Sequence, residues 1–137
     1  MELESAIQQY FPPAQWSNAA CILMAEQAQA IQTCPGADPA TCVADLPNYG
    51  GCYPDQAPGP ATASGLYGIV DRCWDPTLAG DNTPFTPQEW AARLDPIVNV
   101  WMASVVYSIA GWRAWSTCSQ CGCCDVTGMP IPHPRGP

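Results

Sequence analysis

Glu26 stands alone. From position 5 to position 37 it is the only charged residue in 33. On a helical wheel it shares a face with Ala19, Ile22, Leu23 and Ala30. A solitary carboxylate on an apolar face has two fates. It pairs with a distant Arg, or it sits partly desolvated at the floor of a cleft, where lost hydration raises its pKa. The second state is what a general acid needs near neutral pH. Ion-pair networks also perturb carboxylates, so residue type alone leaves both fates open. The second chemical candidate is the cluster Cys118, Cys121, Cys123 and Cys124. Thiolates bind zinc, but zinc sites usually come as two separated Cys-x-x-Cys knuckles. Disulfides to Cys21, Cys73 or each other are therefore the expectation, with no metal and no other cofactor. His133 is the only His and lies in a Pro-rich stretch, so it reads as solvated. No Ser-His-Asp triad can be assembled around it, and no Gly-rich phosphate loop is present.

The elements that must position these residues read as mainly helical. Residues 5–11 suggest a short helix capped by Ser5 and ended by Pro12 and Pro13. Ser17 and Asn18 offer caps for a longer helix over 18–32, rich in good helix formers. It is apolar almost all round, as a helix buried mid-domain would be. Residues 34–63 carry Cys34, Cys42, Cys52 and six Pro with hardly any periodicity. They read as a long loop that disulfides must tie down. Cys34 with Cys42 and Cys52 with Cys73 are the expected pairs, although spacing cannot fix them. A strand or tight hairpin is expected at 65–70. Thr86-Pro87-Gln88-Glu89 is a capping box opening a helix over 87–94. Asp95-Pro96 opens the longest helix, 96–110, with Gly111 as its stop. Trp112 and Trp115 follow on a short turn.

Composition sets the outer bounds. The chain has 137 residues, 47% hydrophobic and 12% charged, the charged share being about half of the usual ~25%. One domain over 1–124 with a Pro-rich tail over 125–137 is expected. Twelve acids face four Arg and no Lys, a net charge of −8. Such a chain has no electrostatic footprint for nucleic acid or an anionic membrane surface. Nine Cys suit an oxidising setting, yet the start, MELES, lacks the basic cluster and apolar run of a secretory leader. The expectation is a removed leader or a protein that leaves the cell by another route, inside a virion or on lysis.

Three blocks, in order, resemble the goose-type lysozyme and soluble lytic transglycosylase superfamily, bacteriophage members included. Trp16 to Gln27 (WSNAACILMAEQ) resembles the family helix that ends in Ala-Glu-Ser, whose Glu is the catalytic acid; Glu26 falls on that acid. Ser64 to Ile69 (SGLYGI) resembles the Ser-x-Gly-Leu-x-Gln-Ile block lining the sugar cleft. Asp95 to Trp115 resembles the Asp-Pro-x-x-Asn helix and the closing Gly-Trp-x-x-Trp of phage versions. The sequence departs from the family at Gln27, where Ser is usual, at Gly68, where Gln is usual, and in the longer, Cys-rich 34–63 segment.

The resemblance implies a mainly α, α+β lysozyme-like fold: a disulfide-rich helical domain with a small β or irregular lobe. It implies cleavage of the β-1,4 bond between N-acetylmuramic acid and N-acetylglucosamine, with Glu26 protonating the leaving oxygen. For a hydrolase, Asp71 is the candidate water-positioning acid, against a bland reading as an ion pair with Arg72 or Arg113. Ser64, Tyr67 and Tyr107 are the expected sugar contacts, Tyr67 foremost; Trp74 and Trp112 also offer faces. Trp101 reads as core, and Asn99 as a structural residue bonding backbone near Pro96. The expected partner is a peptidoglycan glycan strand in a virion or extracytoplasmic setting, with other virion proteins docking through the tail. The alternatives are a structural virion protein that kept this fold without activity, and a secreted Cys-rich binding domain of another fold.

Overall fold

The computed structural model describes residues 2–52 and 56–124, so the Pro-rich 125–137 segment and His133 lie outside the described residues. The fold is mainly α, with a three-stranded sheet and four disulfides. Helix α1 spans Leu3–Tyr10, starting before Ser5, with Glu2 at its N-cap. Helix α2 spans Trp16–Thr33, two residues before the expected start, because the Pro13–Gln15 turn leads straight into it. Its Ala19, Ile22, Leu23 and Ala30 are buried, but Met24 and Ile31 are exposed. The helix is therefore open along one side instead of enclosed.

Helix α6, Pro96–Ala110, lies where the sequence places it. The Asp95 carboxylate accepts from the amides of Ile97 and Val98, Pro96 sits in the first turn, and Gly111 ends it at φ 72°. It buries Val100, Met102, Ala103 and Val106 and packs against α1. Before it come three short helices, α3 (Asp71–Trp74), α4 (Pro76–Ala79) and α5 (Pro87–Ala91). The Thr86–Glu89 capping box opens α5, which ends three residues short of the expected boundary. After α6 come two 3₁₀ segments, Trp112–Ala114 and Ser116–Cys121. Trp112 stacks on Phe11 at 5.4 Å and meets Tyr107 at 4.5 Å, and Trp115 meets Tyr67 edge-on at 6.0 Å. An aromatic row thus joins α1, α6 and the sheet. Among the described residues no helix is long and apolar enough to cross a membrane.

The expected long loop is a correction. It holds an antiparallel hairpin of β1 (Val43–Tyr49) and β2 (Gly59–Ser64), and β2 also pairs with β3 (Ile69–Val70). The register shifts between Leu46 and Tyr49, where Pro47 falls on the edge strand. A residue without an amide hydrogen is tolerated at such a place. Of the strand or tight hairpin expected at 65–70, the structure shows the hairpin: 65–68 is the four-residue turn joining β2 to the antiparallel β3.

Disulfides hold this irregular lobe. Cys34–Cys42 joins the end of α2 to β1, and Cys52–Cys73 anchors the hairpin connection to α3, both as expected. Cys21–Cys121 and Cys118–Cys124 use the C-terminal cluster and leave Cys123 as the free thiol.

Candidate active site

The site is built on the Gly65–Gly68 turn. Gly65 and Gly68 both have positive φ, at 77° and 59°, a backbone that L side chains adopt at a cost. Six hydrogen bonds build the clamp on the turn. The Asn99 amide accepts from the Tyr67 N–H at 2.8 Å and donates to the Ser64 and Arg93 carbonyls at 3.1 and 2.9 Å. The Trp115 indole N–H donates to the Tyr67 carbonyl at 2.6 Å. The Tyr67 hydroxyl donates to the Ala19 carbonyl of α2 at 2.8 Å. The Gly65 N–H donates to the Cys42 carbonyl at 2.9 Å. A Cβ on Gly65 would fall 2.3 Å from Asn99 Nδ2, so the clamp itself requires glycine.

This clamped turn presses on Glu26. A Cβ built on Gly68 would lie 2.7 Å from Glu26 Oε1. Only a residue without a side chain lets the carboxyl reach the backbone here. Glu26 is half-buried, and burial raises its pKa from 4.5 to about 7, partly opposed by the Thr117 hydroxyl. Of its two expected fates, the structure shows the desolvated one. The carboxyl meets a notch of about 150 Å³ lined also by Gln29, Thr33, Asp45, Leu46 and Ala63. At ~30 Å³ per water, that is room for about five waters. Asp45 also borders the notch from β1 and is exposed.

Larger apolar depressions lie elsewhere. One of about 410 Å³ lies between α1 and α2, lined by Ile7, Trp16, Leu23 and Met24. Another of about 460 Å³ is lined by Tyr10, Ile97 and Trp101. Their carboxylates are the exposed Glu4 and the half-buried Glu89, the latter occupied in the capping box. Neither gathers polar groups as the notch does, and chemistry needs converging polar groups more than volume.

The remaining predicted site residues are placed differently. Tyr67 is fully buried with its hydroxyl committed to Ala19, so it is core and cannot stack on a sugar. Burial also pushes its phenol pKa up. Ser64 is fully buried, and its hydroxyl accepts from Arg93 Nε at 3.0 Å. It braces the turn from inside and has no face toward a ligand. Trp74 and Trp112 are likewise buried. Tyr107 packs with Phe11 and Trp112 on the α1 side and does not line the notch. Asp71 accepts from the Thr62 amide at 2.8 Å and hydroxyl at 2.9 Å. Its carboxylate braces β2 and is absent from the notch lining, while Arg72 donates to the Tyr49 and Ala57 carbonyls. Asn99 is structural as expected: it bonds the Arg93 carbonyl, three residues before Pro96, and also the 64–67 turn.

The sequence reading passed over Asp45 and Thr117. Asp45 sits in a segment read as loop. Thr117 lies beyond the last motif, and its role depends on a contact between residues some ninety positions apart. Among the described residues no three His, Cys, Asp or Glu come together to hold a metal. Comparisons with protein-family models, curated proteins and solved structures find no match.

Proposed function

We propose that this chain is a peptidoglycan glycosidase, a lysozyme or lytic transglycosylase, that cleaves the bond between N-acetylmuramic acid and N-acetylglucosamine. The observation that carries it is the half-buried Glu26 carboxyl lying against the Gly68 backbone, with Glu26 lining an open notch. A carboxylic acid with a pKa of about 7 is largely protonated in mildly acidic conditions and about half protonated near neutrality. It can protonate a leaving glycosidic oxygen as positive charge develops on the sugar. The motif resemblance supplies the substrate class.

Glu26 then accepts a proton from whichever group attacks the sugar. With water the product is a reducing end; with the muramoyl 6-hydroxyl it is an anhydro sugar. Asp45, which borders the same notch from β1 and is exposed, takes the helper role first given to Asp71, since a carboxylate beside the notch can orient water. Four disulfides suit a protein that works outside the cytoplasm, either exported or carried on a virion.

The test is a zymogram on purified cell walls comparing wild type with Glu26→Gln, followed by mass spectrometry of released fragments. Clearing by wild type and loss of it in the variant support the reading. Clearing that survives Glu26→Gln removes the catalytic assignment. Asp45→Asn is expected to depress release of reducing ends at least tenfold if water is the acceptor, and to leave anhydro products largely unaffected.

A further inference from the structure

Thr117 breaks a rule that buried polar groups otherwise keep. Its side chain is fully buried, and its hydroxyl has no hydrogen-bond partner of normal length and angle. Groups in that position are uncommon and call for a physical reason. The reason lies next to it. The hydroxyl sits beside the Glu26 carboxyl, where it favours the charged form. Hydrogen bonds to catalytic groups are often long in a free enzyme and tighten when charge appears.

The backbone carrying Thr117 is pinned. The Ser116–Cys121 segment packs against α2. Cys121 is disulfide-bonded to Cys21, five residues before Glu26 on that helix. The neighbouring Cys118 is bonded to Cys124. One covalent link therefore joins the segment bearing the hydroxyl to the helix bearing the acid.

We propose that Thr117 is a positioning residue for Glu26, held at the carboxyl by the Cys21–Cys121 disulfide, and that opening this disulfide uncouples the two. When Glu26 transfers its proton to the leaving oxygen, the Thr117 O–H turns to the new carboxylate. The attacking group later returns a proton to Glu26 and the contact loosens. That catalytic consequence rests on the glycosidase reading, whereas the effect on the Glu26 carboxyl does not.

The other titratable groups around Glu26 do not supply this effect. Asp45 faces the notch from β1. Glu4 of α1 lies in the depression between α1 and α2, with Leu23 and Met24, and does not line the notch. Tyr67 is bonded to Ala19, and Asp38, before the Pro39–Thr41 turn, is exposed and caps Ala40. The 116–121 segment carries no ionisable side chain besides its bonded cysteines.

The experiment follows the Glu26 carboxyl by carbon-13 NMR titration in the full chain, in Thr117→Val, Thr117→Ser and the Cys21→Ala/Cys121→Ala pair. Valine and the cysteine pair are expected to move the Glu26 midpoint above the wild-type value, and serine to preserve it. At pH 4, where Glu26 is protonated, the melting temperature of Thr117→Val is expected not to fall, since no formed hydrogen bond is lost there; a merely structural Thr predicts a fall. On cell walls, Thr117→Val is expected to extend activity to higher pH and to lower the plateau rate about tenfold, the size of one hydrogen bond to a charged group. An unmoved midpoint in folded Thr117→Val overturns the assignment. A midpoint that moves with valine but not with the cysteine pair overturns the clamp. If wild type clears no wall, the glycosidase reading fails while the titration still decides Thr117.

Discussion

Replacing Glu26 by Gln tests the buried acid without reference to any substrate. Folding raises the Glu26 pKa from 4.5 to about 7, so the folded chain holds this proton more tightly than the unfolded chain. Below pH 4.5 both states are protonated and the side chain carries no ionisation penalty. Between 4.5 and 7 the unfolded chain releases the proton first, and stability falls as pH rises. Above 7 the full penalty is present, about 3 kcal/mol at ~1.4 kcal/mol per pH unit. Gln carries no charge at any pH. The stability gap between Glu26→Gln and wild type should thus be near zero at pH 4 and open in favour of Gln by about 3 kcal/mol at pH 8. At roughly 3–5 °C per kcal/mol for a chain of this size, the melting temperatures separate by about 10–15 °C. Scanning calorimetry at pH 4, 6 and 8 reads this directly. A gap that is the same at all three values, or a Gln variant less stable at pH 8, would refute a desolvated Glu26. The acid would then be solvated or ion-paired. A variant that gains stability where it loses lytic activity is the expected signature of a strained functional group.

Three further perturbations probe the scaffold. Gly68→Ala adds a Cβ 2.7 Å from Glu26 Oε1 at φ 59°, whereas Gly36→Ala meets the same backbone sign, φ 80°, with nothing within 4 Å. Both should lose about 1–2 kcal/mol from backbone strain, but only Gly68→Ala should displace the carboxyl and cut wall clearing. Equal clearing by the two variants would count against the contact. Asn99→Ala removes three hydrogen bonds, two of them buried, and should cost about 3 kcal/mol or more in urea unfolding, against about 1 for Tyr67→Phe, which loses one. Removing Cys21–Cys121, which spans 100 residues, should cost about 4–5 kcal/mol in the chain-entropy account, and Cys34–Cys42, spanning 8, about 2–3; denaturant curves of the two double-alanine variants give the order.

What was legible in the sequence was local. Asp95-Pro96 and Gly111 fixed α6 to the residue because cap, first turn and stop are set by neighbours in sequence. The Thr86–Glu89 box did the same for the start of α5. The β1–β2 hairpin was hidden because VADLPNY and GPATAS hold Pro, Gly, Ala and Asp where strands favour branched and aromatic residues. Pairing and two disulfides hold them extended, and neither leaves a periodic signal. Tyr67 misled because its block lines a cleft in the family it resembles. Gly65 and Gly68 of that block do line the notch here, while the Tyr67 ring is buried in the core and its hydroxyl bonds α2. Asp45 could not be singled out, since a carboxylate within an unrecognised strand looks like any surface acid.

Glu26 and Gly68 show how one local fact changes the meaning of another. In sequence, Gly68 stood where the resembled family carries a polar side chain and so favoured a relative without activity. In the fold, that position touches Glu26 Oε1, and any side chain would begin inside the carboxyl's van der Waals shell. Gly68 is the residue that lets the acid lie against the turn, and the Asn99 clamp keeps the turn from yielding. A substitution that restored the family's glutamine at Gly68 should therefore reduce wall clearing and lower the pH at which Glu26 ionises, because it would force the carboxyl outward toward water. Carbon-13 titration of that single variant separates the two views: an unchanged midpoint with improved clearing would mean the missing glutamine was a real loss, and a lowered midpoint would mean the glycine is part of the acid's setting.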